Sequence, residues 1–176
     1  NGNDFESTLA RRIMPFVRNM RVVIVRSPAD LPSNFLRTKF DGAAGMYSNG
    51  VIYLAADGGL NNTVFLHEAL HGATIDRINK YLDDVAAGKE PEANLAEAVE
   101  ELNAVMKSAG RMYDALSMMG MTDERTDALA RAEAFTDIKE FVAYGMSHPA
   151  MQEFLLQAPG MYAGTKSTWV DKLFTP

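Results

Sequence analysis

Apolar positions follow two rhythms along the chain. Early on they run together: MRVVIVRS (20–27) is an unbroken β-branched stretch ending at Ser27-Pro28, which predicts a buried strand. AAGMYSNGVIYLAADGG then places Asn49-Gly50 between two β-prone flanks, the strongest local signal for a tight hairpin turn, with strands expected near 43–48 and 51–55. From Asn62 the spacing lengthens to three and four. Val64, Leu66, Leu70, Ile75, Ile78 and Leu82 mark one face of a helix over 62–86, capped by Asn62 or Thr63 and open to a bend at Gly72.

Gly88 to Pro91 interrupts that period. A long amphipathic helix follows, through Leu95, Val99, Leu102, Met106, Met112 and Leu116 to Gly120. Thr122 and Asp123 start another, carrying Leu129, Phe135, Ile138 and Phe141 as far as His148-Pro149. PAMQEFLLQ and STWVDKLF predict two shorter closing helices, and Asp4–Val17 an opening one that Pro15 limits. The layout is an N-terminal helix or arm (1–19), a small sheet with a hairpin (20–60), a helix (62–86) and a helical remainder (91–176) in one domain. Little β-structure first and mostly helix afterwards is an α+β fold class.

Composition narrows the chemistry. The 176 residues are 47% hydrophobic and 23% charged, enough for a real core without compositional bias toward disorder. A net charge of −6 with scattered lysines and arginines offers no basic stripe, which argues against nucleic acid as a direct partner. The chain has no cysteine, so thiolate zinc fingers, disulfide frameworks and a cysteine nucleophile are excluded, and any metal must be held by nitrogen and oxygen. No apolar run approaches the roughly 18 residues of a membrane span, and the start lacks a signal-peptide layout. The missing initiator methionine suggests a processed product or a domain cut from a larger polypeptide. Eleven methionines, several in MYDALSMMGM, are expected to fill gaps in the core rather than to form a pliable binding surface.

The sharpest chemical signal is VFLHEALHG (64–72). Residues four apart on a helix lie one turn up on the same face, about 6 Å apart, so the imidazoles of His67 and His71 can share one ion. Glu68 is turned about 100° away from that pair, where a carboxylate can reach water at the ion without being a ligand, the place of a general base. Two incidental surface histidines would give the same letters, but flanks of Val64-Phe65-Leu66 and Leu70 belong to a buried helix, where unpaired polar groups are costly.

A catalytic zinc ion usually has three protein ligands and an open fourth position. The extended form with a third histidine on the same helix is excluded, because Thr74 and Arg77 occupy its glycine and histidine positions. A carboxylate from TDIKEFVAYGMSHPAM remains. Glu140, beside the apolar stripe, is favoured over Asp137 and over His148 next to Pro149, without either being removed. Tyr144 and His148 are candidate donors to a developing oxyanion, and Tyr162 is a weaker one, whereas Tyr47 and Tyr53 are expected to be strand residues. In zinc peptidases with this motif an edge strand beside the helix pairs with extended substrate, and VIYLA stands where that strand would be; a core hairpin without such a role would read the same.

Taken together, NGVIYLA, VFLHEALHG, KEFVAYGMSHPAMQEFL and the tryptophan of STWVDKLF resemble the zincin-like (HExxH, gluzincin-type) metallopeptidase domains of large polyvalent proteins from phages and other mobile elements, over roughly residues 20–174. The resemblance implies zinc on His67, His71 and Glu140, Glu68 as catalytic base, and a protein or peptide substrate. It also implies a place in the virion or the infected cell's cytoplasm. The expectation is a zinc metallopeptidase; the alternative is a zinc-bound, non-hydrolytic zincin-like module of a larger phage protein.

Overall fold

The computed structural model describes Leu9, Arg11 and residues 13–157; the expected helix STWVDKLF, Tyr162, and the first residues of the opening helix lie outside these. Among the described residues the fold is α+β, a three-stranded sheet followed mostly by helices. Contacts divide the chain into two compact units, Asn1–Ala73 and Thr74–Pro176.

In the first unit, residues 13–17 are helical, and β1 (Arg21–Val25), α1 (Asn34–Phe40), β2 (Gly45–Ser48) and β3 (Val51–Ala55) follow. The sheet order is β1-β3-β2, with β1 parallel and β2 antiparallel to β3. The hairpin forms as its turn residues dictate. Ser48 pairs with Val51, and Asn49 and Gly50 both take positive φ, +48° and +78°, as a two-residue turn matching the strand twist requires. The β2 strand is shorter than the expected 43–48. VIYLA is corrected from a candidate edge to the central strand: its ladder is satisfied on both sides, and β2 is the edge beside it.

The two faces of the sheet are covered differently. Val25 and Tyr53 pack with Leu31 and Phe40 beneath α1, and Val23, Met46, Val51 and Ala55 join them. Opposite lie Ile52, Leu54, Gly45 and Tyr47, and the helix beginning at Asn62 covers them. That helix, α2 (Asn62–Ala86), has the bounds expected for it and runs through Gly72 without a break. The cap is Asn61 rather than Asn62 or Thr63: its side-chain oxygen accepts from the Val64 N–H at 2.9 Å. The buried-strand expectation for β1 is corrected as well. Only Val25 is buried, while Val22 and Ile24 are each 45% exposed, because α2 lies over the β2 side of the sheet and β1 is the opposite edge.

Among the described residues the second unit contains the rest of α2 and four helices, α3 (Ala93–Met118), α4 (Glu124–Arg131), α5 (Ile138–Ser147) and α6 (Pro149–Gln157). Leu95, Val99, Leu102 and Met106 form the buried stripe of α3. Tyr113 stacks on Phe135, which also meets Phe154, both at 5.1 Å between centroids. Desolvation, and then the Asp127 carboxylate to which it donates, raise the Tyr113 hydroxyl above its ordinary pKa. The single helix expected from Thr122 to His148 is two. Glu133 adopts a φ of +60°, and the Asp137 side chain accepts from the N–H groups of Lys139 and Glu140, capping a new helix. The methionines divide: Met106, Met146 and Met151 are buried, but Met118, Met119 and Met121 around Gly120 are exposed, against the core expectation for that segment. No helix among the described residues is long and apolar enough to cross a membrane.

Candidate metal centre

The histidine pair is set by α2 itself. An unbroken helix puts His67 and His71 on one face, and their Nε2 atoms lie 3.0 Å apart with the rings edge-on. Two zinc–nitrogen bonds of about 2.0–2.1 Å span such a separation readily. Ala69 and Leu70 between them are fully buried, His71 is 7% exposed and His67 is half-buried, so core packing fixes the helix that carries the pair.

Glu140 occupies the third position of the first turn of α5, where the Asp137 cap fixes the start of the helix. One ligand atom from each of His67, His71 and Glu140 lies within 4.8 Å of the others, and these three are the group among the described residues that could hold a metal ion. Two imidazoles and a carboxylate offer nitrogen and oxygen donors of the kind a borderline divalent ion takes.

The alternatives to Glu140 have other settings. Asp137 is the N-cap of α5, and its carboxylate is turned to backbone N–H groups. His148 is the C-cap of the same helix, its N–H donating to the Tyr144 carbonyl, as its place before Pro149 suggested. Tyr144 and His148 lie one and two turns beyond Glu140, with rings edge-on at 5.9 Å. Neither Asp137 nor His148 belongs to the ligand group.

Glu68 lies outside that group too, as its offset on the helix requires. It is 7% exposed, and its side chain lies against β2 at Gly45, where a Cβ would stand 2.9 Å from both Cγ and Oε1. A second glycine acts in the reverse sense: Gly72, next to His71, receives the Tyr47 ring and Met20 where its own side chain would be. Sequence reasoning passed over both contacts. For Gly45 the available signal was a glycine inside a β-prone run, which often marks a close approach to the backbone. Tyr47 and Tyr53 are strand residues, as expected.

Compared with known proteins, the chain matches no family model, no curated protein and no solved structure.

Proposed function

We propose that the protein is a zinc-dependent endopeptidase with a zincin-like site in which His67, His71 and Glu140 hold the ion and Glu68 is the general base. The convergence of three ligand atoms within 4.8 Å, from residues distant in sequence, carries this reading. Zinc held there would supply a Lewis acid for the peptide carbonyl and lower the pKa of a coordinated water toward about 7. Glu68, buried and offset from the ligand face, takes the proton of the attacking water and returns it to the departing amine. Tyr144 and His148, on the helix that carries Glu140, are the candidate donors to the oxyanion.

The substrate in this reading is a protein or peptide segment in extended form. The β2 strand, an outer strand of the sheet with Glu68 against its Gly45, is the natural place for it to add as a further strand. The resemblance to phage and mobile-element polyvalent proteins supports the same chemistry and suggests a role inside the infected cell or the virion.

Replacing Glu68 by Gln tests the reading. The variant should bind zinc stoichiometrically and lose cleavage of an unfolded protein substrate by at least the 10²–10⁴-fold typical of a lost general base, roughly. Cleavage at the wild-type rate would overturn the assignment of the base. Zinc binding with no cleavage even by the wild-type protein would favour the non-hydrolytic module.

A further inference from the structure

The geometry points to Gly45 as the positioning residue for the Glu68 carboxylate, the missing side chain on β2 being what lets that carboxylate lie beside the outer strand of the sheet. This rests on the peptidase reading for its catalytic consequence, but the contact itself does not.

A side chain at position 45 would project onto the face of the sheet that α2 covers. Its Cβ would meet Val64 Cγ1 at 2.7 Å and Glu68 Cγ and Oε1 at 2.9 Å, distances that real Cβ atoms do not tolerate. Val64 and Glu68 are four apart and stand one above the other on α2, so together they close the space over Gly45. Neither can step aside at little cost. Val64 is β-branched and held to essentially one rotamer in a helix, and the Glu68 contact includes the stem of the side chain as well as its oxygen. Gly45 has no positive φ and stands in regular pairing with Leu54, so backbone conformation does not call for glycine here. What calls for it is the room that Glu68 and Val64 occupy.

The consequence is directional. The smallest side chain at position 45 turns the carboxylate away from β2 while leaving His67, His71 and Glu140, which make no part of the contact, able to hold metal. Gly45→Ala should therefore bind zinc with wild-type stoichiometry, lower kcat by about ten- to a hundredfold and leave KM within about threefold, since the base is displaced and the ligands are not. A fall in zinc stoichiometry, or a loss confined to KM, would overturn the assignment.

A double-mutant cycle in stability keeps this test separate from that of the peptidase reading. Glu68→Ala removes two of the three atoms that Gly45→Ala would strike and leaves Val64 Cγ1, so the alanine at 45 should destabilise the Glu68→Ala protein less than the wild type. Additive effects would overturn the proposal whether or not the protein cleaves anything. If Gly45→Ala does not fold alone, the cycle is run in a Val64→Ala background, where the nearest obstacle is gone, the two Glu68 atoms remain and relief by Glu68→Ala is expected. Wild-type cleavage by Glu68→Gln would reject the catalytic base and leave the cycle to decide the contact.

Discussion

Glu140 shows how much and how little single residues declare. Its type and its place beside an apolar stripe made it the favoured third ligand, but the structure is what separates it from Asp137 and His148, which the sequence offers in the same segment. Asp137 fell away because a carboxylate just before a helix satisfies exposed N–H groups there, a competition that residue spacing does not register. Replacing Glu140 by Ala should weaken zinc binding by more than the 10–100-fold that follows loss of a merely supporting group, roughly, with the circular-dichroism spectrum unchanged. Equilibrium dialysis with zinc checks it, and stoichiometric retention would return the ligand role to another donor.

At the scale of elements, the hairpin was legible because only a few residues accept positive φ at consecutive positions. Gly50→Ala, at a φ of +78°, should cost about 1–2 kcal/mol in denaturant unfolding, since an added Cβ opposes the left-handed conformation. The break between α4 and α5 was not legible: no glycine or proline stands between Leu129 and Phe141, and the positive φ falls at Glu133, a residue type that seldom adopts it. Helix α4 also carries a pH signature. The Asp123 carboxyl is held below its ordinary pKa of 3.8, first by the Thr126 groups it caps and further by Arg125. A carboxyl lowered by folding adds stability above its unfolded-state pKa, and that contribution is lost as pH falls through the lowered value. Asp123→Asn keeps a capping oxygen but has no such titration. Thermal melts should therefore show wild type ahead at neutral pH and the gap closing as the pH drops below 3.8.

For the molecule as a whole, the sequence made the order of elements clear and their neighbours unclear. The β-branched run of β1 announced a strand, yet burial depends on what lies over each face, and the outward exposure of Val22 and Ile24 follows from β1 being an edge that α2 does not cover. The exposed methionines at the end of α3 escaped for the same reason: composition reports how many apolar side chains there are, not which of them meet a neighbour. Metal binding should be visible globally. With free zinc at a thousand times its dissociation constant, the folded state gains about 4 kcal/mol, or roughly 8–16 °C in Tm for a chain of this size. Differential scanning calorimetry should show that shift for the wild type and little of it for His71→Ala.

The brevity of β2 sets a scale for recognition in the proposed peptidase. Four residues, Gly45–Ser48, rise about 3.3 Å each, so a polypeptide laid alongside would be gripped over roughly 13 Å. So small a footprint admits many different sequences, and selectivity would have to come from which stretches of a target unravel far enough to lie along that strand.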